Sequence, residues 1–392
     1  MENVSKTFPV VLITGPRQVG KTTLFEKSKE NNRTYISLDD PQLRALAKND
    51  PNLFLQTYKT PLLIDEIQYA PELFPYIKMA VDREKKKGMF WLTGSQQFHL
   101  MKNISESLAG RVAILELQGL SQAEKRRMPQ VAPFLPKFNT TKKFRRMDVT
   151  QVYEVILRGS YPALFATPST DKNIFYASYL KTYIERDIRT LVNISDEHTF
   201  LKFMRVTAAR TGQMINYSDM ARDVDVSHNT IKAWLSILET SGLIYLLQPF
   251  HNNVASRAIK TPKLYFLDTG LCCYLSGWDN AATLSNGAMS GAMLETYVIS
   301  EILKSYWHNG LQASTYYYRD KDKKEIDLLI DRNGELYPIE VKRTASPKEG
   351  DIKNFDVLNN LKVNVGTGGI VCLYPNPTPL TQNINIIPVG YI

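Results

Sequence analysis

Hydrophobic and polar positions alternate regularly through the first third of the chain. Between residues 8 and 117, short apolar runs rich in β-branched residues are separated by longer polar or amphipathic stretches. This pattern is typical of parallel strands that are connected and covered by helices. The predicted strands are 10–14, 34–37, 62–65, 90–93 and 113–117. The pattern therefore predicts an α/β fold with a parallel sheet.

The pattern changes beyond residue 150. Residues 152–191 are predicted to be helical around the turn Arg158-Gly159-Ser160-Tyr161-Pro162, and residues 200–245 form short helices with polar turns. From residue 293 onward, a helix precedes predicted strands at 315–318, 325–330 and 336–341, with a turn at Asn333-Gly334. This order predicts a second, largely helical module and a small α/β module.

A glycine-rich sequence directly follows the first predicted strand. It reads Gly15-Pro16-Arg17-Gln18-Val19-Gly20-Lys21-Thr22. In such a P-loop, backbone N–H groups surround phosphates at a helix N-terminus, and the lysine reaches the outer phosphates. ATP is the predicted ligand. The predicted nucleotide-binding residues are Gly15, Gly20, Lys21, Thr22, Thr23, Thr93 and Ser95.

Acidic and basic residues downstream complete this predicted site. Thr22 and Asp65 are the expected Mg²⁺ ligands, and Glu66 would orient or deprotonate the attacking water. Thr93 and Ser95 end a strand where a γ-phosphate sensor would lie, although a simple strand-terminating turn is the alternative. Arg111 would reach a phosphate within the chain or across a subunit interface, and its position alone leaves an ordinary surface arginine open.

The middle of the chain has a helix-turn-helix pattern. Residues 217–227 form a short helix and a turn, and Ser227 is a good N-cap for a helix over 227–240. Its apolar stripe consists of Ile231, Trp234, Leu235 and Leu238. Residues 243–247 and 264–267 would pair as the strands of a winged helix. The exposed candidates for DNA contact are His228, Asn229 and Lys232, with protein docking or a structural role as the alternative.

Acidic residues recur in order in the last module. Glu295 lies on the predicted helix, Asp327 lies in a strand, and Glu340 and Lys342 close the next strand. The order resembles the PD-(D/E)XK nuclease fold, with Ile326 where the motif has proline. The resemblance implies that Asp327 and Glu340 hold Mg²⁺, that Glu295 adds a ligand, and that Lys342 positions or activates water. A simple ion pair between Glu340 and Lys342 is the alternative.

Net charge, cysteine spacing and the length of apolar runs indicate what kind of protein this chain is. A formal charge of +9 and a pI near 9.2 favour an anionic partner, and DNA is the expected one. Cys272, Cys273 and Cys372 have the spacing of neither a disulfide framework nor a zinc site. No apolar run reaches the ~20 residues that span a bilayer. We therefore expect a cytoplasmic protein without a membrane partner.

Together, the glycine-rich sequence, the acidic pair Asp65-Glu66 and the segment 107–111 resemble the AAA-type ATPase domain (AAA_14) that occurs fused to an uncharacterised region, DUF4143. The resemblance covers most of the chain. In that family a segment like 107–111 recurs after the sensor strand, which supports Arg111. The turn at 158–162 resembles the family's Gly-Gly-x-Pro turn near the nucleotide, but it has Arg158-Gly159-Ser160 where a second glycine is usual.

We predict four segments: a P-loop ATPase core at 1–130, a linker and helical lid at 131–195, a winged-helix-like module at 196–280 and a PD-(D/E)XK nuclease-like domain at 281–392. The predicted function is ATP binding and hydrolysis that couples nucleotide state to a winged-helix and nuclease-like region acting on DNA. The alternative is an ATP-dependent signalling or scaffold switch whose C-terminal modules bind a protein partner without cleavage. A motor along DNA ranks last. An arginine supplied across subunits would require a homo-oligomer.

Overall fold

The computed structural model describes residues 2–94, 104, 107–128, 132–137, 146–167, 169–183, 197–251 and 261–392. The chain divides into two compact units. Unit 1 comprises Met1–Gly119 and Thr240–Gly242, and unit 2 comprises Leu120–Glu239 and Leu243–Ile392. Each unit is described by itself below.

Unit 1 contains a five-stranded parallel sheet. Its strands are β1 Val10–Thr14, β2 Thr34–Ser37, β3 Leu62–Asp65, β4 Phe90–Gly94 and β5 Val112–Glu116, in the order β2-β3-β4-β1-β5. The predicted parallel sheet is confirmed, and strand bounds differ from the prediction by at most one residue. Every residue of β1, β3 and β4 is buried, as expected for parallel strands covered on both faces.

Among the described residues of unit 1, five helices accompany this sheet: α1 Glu2–Ser5, α2 Lys21–Ser28, α3 Pro41–Asn49, α4 Pro51–Thr57 and α5 Leu73–Glu84. A 3₁₀ turn covers Ile67–Tyr69. The side chains of Asp40 and Asp50 accept the first backbone N–H groups of α3 and α4, and a proline occupies the first helical position of each. Each helix therefore begins at an aspartate N-cap followed by a proline, whose fixed φ already suits a helix.

Unit 2 is rich in helices. Those of its first half are α6 Gln122–Lys125, α7 Val149–Arg158, α8 Ala163–Ala166, α9 Lys172–Tyr183, α10 Glu197–Ala209, α11 Tyr217–Val224 and α12 His228–Thr240. The later ones are α13 Thr269–Ser276, α14 Ala281–Asn286 and α15 Ser290–Trp307. In the part of unit 2 that the structure describes, 3₁₀ segments cover Glu349–Leu361 and Val389–Tyr391.

The described residues of unit 2 contain two sheets. The smaller has the order β6-β8-β7, with β6 Gln213–Met214, β7 Ile244–Leu247 and β8 Lys263–Phe266. The larger has the order β14-β15-β13-β11-β10-β9, and β12 pairs with β11. Its strands are β9 Thr315–Arg319, β10 Glu325–Arg332, β11 Glu335–Lys342, β12 Asn364–Val365, β13 Gly368–Cys372, β14 Thr378–Pro379 and β15 Ile384–Pro388.

Local predictions in the helix-turn-helix region are confirmed. Ser227 Oγ accepts the backbone N–H of Thr230 at 3.0 Å, as an N-cap does. The buried residues of α12 are the predicted Ile231, Trp234, Leu235 and Leu238. The strands β7 and β8 pair antiparallel, as expected.

All three cysteines are buried free thiols. Across the described residues, no helix has the length and hydropathy needed to cross a membrane.

Candidate functional site

The glycine-rich loop joins the carboxyl end of β1 to the N-terminus of α2. Gly15 has φ +147°, and a Cβ there would lie 1.9 Å from the backbone oxygen of Leu117. Gly20 caps α2 in the left-handed region at φ 94°. Both positions therefore require glycine. This conformation directs the loop and the helix N-terminus to the edge of the sheet where parallel strands end, which is the usual place for a ligand.

Lys21 lies against this loop. Its side chain is 6% exposed, and its Nζ donates to the backbone oxygens of Pro16 at 2.7 Å and Gly15 at 3.1 Å. The hydroxyl of the next residue, Thr22, extends towards β3. Thr23 is exposed on the first turn of α2. The lysine ammonium is therefore held within the loop that would surround the phosphates.

Asp65 gathers the polar groups at this edge of the sheet. Thr22 Oγ1 donates to Asp65 Oδ2 at 3.0 Å, and Tyr35 Oη donates to the same oxygen at 3.0 Å. Thr93 Oγ1 donates to Asp65 Oδ1. Asp65 is 5% exposed and Thr93 is fully buried. Residues from β2, β3, β4 and α2 thus converge on one carboxylate, so the structure brings together the predicted Thr22, Asp65 and Thr93.

Tyr35 was not predicted as part of this site. Burial raises its pKa to about 12, and the negative charge of Asp65 adds to the effect. Tyr35 therefore remains a protonated donor to Asp65 at neutral pH. A polar side chain in the short strand next to β3 was the only sequence signal for it.

Glu66 follows Asp65 in a left-handed conformation, with φ 57°. Its backbone N–H donates to Thr93 Oγ1 at 3.1 Å, and its carboxylate accepts from Gln68 Nε2. Thr93 thus contacts both members of the acidic pair. The Glu66 carboxylate is therefore held by Gln68, a neighbour that sequence reasoning missed.

Arg111 is not brought to the same edge. It precedes β5, and because Val10 pairs with Val112 it lies at the amino-terminal edge of the sheet, whereas the glycine-rich loop lies at the carboxyl edge. Its guanidinium pairs with Asp82, with Nε to Oδ1 at 2.6 Å and Nη2 to Oδ2 at 3.0 Å. Ser95 lies outside the described residues.

The turn at 158–162 has a structural basis within unit 2. Asp268 Oδ2 accepts the Ser160 backbone N–H at 2.6 Å and the Ser160 hydroxyl at 2.7 Å, and Asp268 Oδ1 accepts Tyr176 Oη at 2.8 Å. Gly159 has φ 76°, and a Cβ there would lie 2.1 Å from Tyr176 Oη. Ser160 therefore provides a second donor to Asp268, which a glycine would lack.

The predicted Glu295, Asp327 and Glu340 lie in a carboxylate cluster in unit 2, and Glu325, which was not predicted, is its fourth member. Lys263, at the start of β8, lies among them. Its Nζ is 3.2 Å from Glu295 Oε1 and 3.9 Å from Asp327 Oδ1, and it also pairs with Glu325. Burial lowers the pKa of Lys263, but the carboxylates outweigh this effect and the pKa is raised overall.

Lys263 and its neighbours were missed by sequence reasoning. Lys263 is 4% exposed. Its position next to an apolar run was a sequence signal for burial, and a buried ammonium needs a carboxylate partner. Tyr265 Oη donates to Glu295 Oε1 at 2.5 Å, and Arg319 Nη1 binds Glu325 Oε2 at 2.6 Å. The cluster therefore contains its own positive charges.

Asp327 and Glu340 lie on adjacent strands. Asp327 Oδ2 accepts the backbone N–H of Val341 at 2.9 Å. Lys342 Nζ donates to Glu340 Oε1 at 2.6 Å, which agrees with the prediction that these two side chains share one face of the strand. Glu340 Oε2 is buried and has no hydrogen-bond partner among the described residues. Burial, followed by the charge of Asp327, raises the pKa of Glu340 to about 8.

In the part of the chain that the structure describes, no group of three or more His, Cys, Asp or Glu side chains is arranged to hold a metal ion. The orphaned Glu340 Oε2 nevertheless suits a cation, and Asp327 is next to it. Burial, followed by Asp327, raises the pKa of Glu295 to about 7, and Glu295 bonds to Lys263 and Tyr265 instead.

The predicted DNA-contact residues lie together on α12. His228, Asn229 and Lys232 are exposed. The Tyr217 ring of α11 packs against the His228 ring at 5.4 Å, and Lys232 Nζ lies 5.5 Å from the centre of the Tyr217 ring. These contacts define one exposed face on the two helices.

Three segments of the chain match family models. Residues 7–125 match an AAA domain, residues 149–282 match a domain of unknown function, DUF8612, and residues 290–392 match a domain of unknown function, DUF4143. The DUF8612 match was not anticipated and includes α7 to α13.

Similar proteins include the uncharacterized protein Rv2008c of Mycobacterium tuberculosis and the uncharacterized protein Mb2031c of Mycobacterium bovis. Each is 29% identical over 388 residues, which is 98% of this chain and 81% of the relative. Among solved structures, a point variant of Thermotoga maritima RuvB aligns with 16% identity over 61% of this chain and 82% of that chain, at a TM-score of 0.27. A STAND protein with a tetratricopeptide repeat sensor from Pyrococcus horikoshii aligns with 13% identity over 76% and 43%, at 0.25.

The sheet, the glycine-rich loop and the family match agree for unit 1. Residues 7–125 carry a P-loop NTPase fold of the AAA type, and this domain is joined in one chain to a DUF4143 domain at residues 290–392.

Proposed function

We propose that unit 1 binds ATP with Mg²⁺ and hydrolyses it. The observation that carries the proposal is the contact of Thr22 Oγ1 with Asp65 Oδ2 at 3.0 Å beside the loop that holds Lys21. A hydroxyl and a carboxylate oxygen side by side are ligands that suit Mg²⁺. Their position next to a phosphate-binding loop is the arrangement that phosphoryl transfer requires.

Each side chain then has a distinct role. The N–H groups of the loop and the Lys21 ammonium bind the phosphates, while Thr22 and Asp65 hold Mg²⁺. Mg²⁺ supplies neutralisation of the charge that develops on the phosphate oxygens. Glu66 orients the attacking water or accepts its proton, and Thr93 fixes Asp65 and Glu66 relative to each other.

Arg111 would serve a neighbouring subunit. Because it lies at the opposite edge of its own sheet from the glycine-rich loop, it would reach a transferring phosphate only on another copy. Hydrolysis would then depend on a homo-oligomer in which one subunit's amino-terminal edge meets the next subunit's nucleotide site.

ATP hydrolysis by the purified full chain with Mg²⁺ tests this proposal. We expect Lys21→Ala to reduce turnover by on the order of 10²-fold or more, because it removes a positive charge directed at the transferring group. Lys48→Ala, at an exposed position on α3, is the matched control and should hydrolyse ATP like the parent protein. Equal activity of Lys21→Ala and the parent protein would refute the proposal.

Unit 2 has a second candidate activity, metal-dependent cleavage of a phosphodiester. The buried Glu340 Oε2 without a partner among the described residues, next to Asp327, favours a divalent cation between these carboxylates. Lys342, bound to Glu340 at 2.6 Å, would position water. Plasmid cleavage with Mn²⁺ tests this activity. We expect Asp327→Asn to abolish it and Asp331→Asn, in the same strand, to retain it.

The rest of unit 2 would connect nucleotide state to a target. Helices α11 and α12 would form a winged-helix module with the β6-β8-β7 sheet, and His228, Asn229 and Lys232 would contact DNA. The proposed segments remain 1–130, 131–195, 196–280 and 281–392. If no cleavage occurs while ATP is hydrolysed, the switch that binds a protein partner becomes the better description.

A further inference from the structure

A basic groove lies at the amino-terminal edge of the parallel sheet in unit 1. Its volume is about 950 Å³. Its walls come from the segments before β1 and β4, the end of α2 and the residues that lead into β2 and β3. The positive side chains that line it are Lys6, Lys27, Lys29, Arg33, Lys86 and Lys87. The name basic groove refers to these residues below.

The groove is separate from the nucleotide site. The glycine-rich loop follows the carboxyl end of β1, whereas the groove precedes its amino end. A five-residue strand spans roughly 16 Å at about 3.3 Å per residue. An anion in the groove therefore cannot be the nucleotide that Lys21 binds.

The charge of the groove is not cancelled by its own acids. Glu30 is the one carboxylate among the described lining residues, and Arg33 Nε binds its Oε2 at 2.8 Å. This bond lowers the pKa of Glu30, so the pair Glu30–Arg33 is neutral. The five lysines are all exposed. Lys86 has an exposed contact to Glu84 at 3.5 Å, which contributes little.

A buried guanidinium forms the floor of the groove. Arg33 is 5% exposed and stacks on Trp91, with its Cζ 4.0 Å from the ring centre. Its Nη2 donates to the Gly88 oxygen at 2.9 Å, but its Nη1 is buried without an acceptor among the described residues. A buried donor without an acceptor is costly, so this arrangement favours an anionic oxygen from a ligand.

Other lining groups indicate what kind of anion fits. Ser5, Ser28, Asn32 and Thr60 add neutral donors of the type that bind phosphate oxygens. No aromatic side chain is among the described lining residues, so bases have no stacking platform. Five exposed lysines spread over three separate segments suit several phosphates in succession better than one.

We propose that the basic groove binds the phosphate backbone of a nucleic acid independently of its sequence. This inference does not rest on ATP hydrolysis. It adds a surface in unit 1 that is distinct from the exposed face of α11 and α12 in unit 2.

Binding of short labelled DNA duplexes of two unrelated sequences to the full chain, followed through a salt titration, tests the proposal. In Lys86→Ala/Lys87→Ala we expect weaker binding of both sequences to the same degree. The slope of log K against log salt should fall by about 2, because each lost phosphate contact removes roughly 0.9. Lys48→Ala/Lys78→Ala removes two charges outside the groove and should leave the slope unchanged.

Two further variants separate the sites. Lys232→Ala tests the α12 face, and Lys21→Ala, which should lose ATP hydrolysis, is expected to bind DNA with the parent slope. A parent slope in the groove variant would overturn the proposal, as would a loss of binding caused by Lys232→Ala alone. Preferential binding of tripolyphosphate or of polyglutamate over DNA would also overturn it, since the ligand would then be a small phosphate or an acidic protein.

Discussion

The nucleotide site of unit 1 and the carboxylate cluster of unit 2 both bury acidic side chains, but they stabilise them differently. The described hydrogen bonds to Asp65 come from the hydroxyls of Thr22, Tyr35 and Thr93. In unit 2, the ammonium of Lys263 lies among the carboxylates themselves. Hydroxyl donors satisfy oxygen lone pairs but leave the negative charge, whereas an ammonium cancels it. The first site is therefore suited to a cation from outside, and the second already contains one.

The largest expected effect comes from removing this internal cation. Lys263→Met keeps much of the side-chain volume but leaves Glu295, Glu325 and Asp327 without their shared partner. Loss of one member of a buried ion pair costs about 3–5 kcal/mol in unfolding free energy. Chemical denaturation monitored by a probe in unit 2 measures it.

The matched control is Lys324→Met, at an exposed position before β10, which should be close to neutral. If both variants unfold at the same denaturant concentration, the cluster does not depend on Lys263. Added Mn²⁺ sharpens the comparison, because it should stabilise Lys263→Met more than the parent protein if a divalent ion can replace the ammonium.

At the nucleotide site, the next largest effect is catalytic. Glu66→Gln keeps the shape and the contact region of the side chain but removes the negative charge. We expect ATP turnover to fall by at least on the order of 10²-fold, about 2.7 kcal/mol, with nucleotide affinity retained. Steady-state turnover and equilibrium nucleotide binding measure the two quantities separately.

Glu72→Gln, on an exposed residue before α5, is the corresponding control and should leave turnover unchanged. Equal losses of affinity and turnover in Glu66→Gln would contradict a role confined to the chemical step.

A smaller effect tests the hydroxyl network. Thr93→Val is nearly isosteric but removes the donor to Asp65 and the acceptor for the Glu66 backbone N–H. Each lost buried hydrogen bond costs about 1–3 kcal/mol, so the thermal midpoint of unit 1 should fall. Thr93→Ser keeps the hydroxyl and should recover most of the loss. A Val variant as stable as the Ser variant would show that the hydroxyl is dispensable.

The last prediction concerns the pH dependence of stability in unit 2. In the folded protein, burial raises the pKa of Glu295 to about 7 and that of Glu340 to about 8, well above the usual range of a glutamate carboxyl. The folded state thus binds these protons more tightly than the unfolded state. Their contribution to stability is complete below the unfolded pKa and is lost as pH rises towards 8.

Thermal unfolding of the parent protein and of Glu340→Gln from about pH 5 to pH 8 measures this dependence. We expect the decline in the parent and a flatter profile in the variant. A parent profile that rises with pH over this interval would contradict the assigned direction of the shifts.

Much of unit 1 could be predicted because its determinants are local. The five strands coincide with apolar runs, and the glycine-rich loop carries its phosphate-binding geometry in a few consecutive residues. Tyr35 and Gln68 were missed because their contacts to Asp65 and Glu66 depend on strand order and on a left-handed turn, neither of which is visible in residue spacing.

In unit 2, the sequence placed Asp327, Glu340 and Lys342 but not the partner that balances them. Lys263 is separated from Glu295 and Asp327 by many residues, so only the three-dimensional arrangement of β8 beside α15 and β10 reveals the cluster. The turn at 158–162 shows the same limit. A family resemblance pointed towards the nucleotide, whereas the described contacts of Ser160 are with Asp268 and Leu120.

Asp268 has a consequence for how unit 2 opens. One carboxylate joins the turn after α7, the side chain of α9 residue Tyr176 and the first turn of α13, where it accepts the Leu271 N–H at 2.7 Å. These segments cannot separate singly without leaving that buried acid short of a donor. The amide protons of Ser160 and Leu271 should therefore exchange with solvent deuterium at similar rates, in a shared opening rather than by independent fraying of each segment.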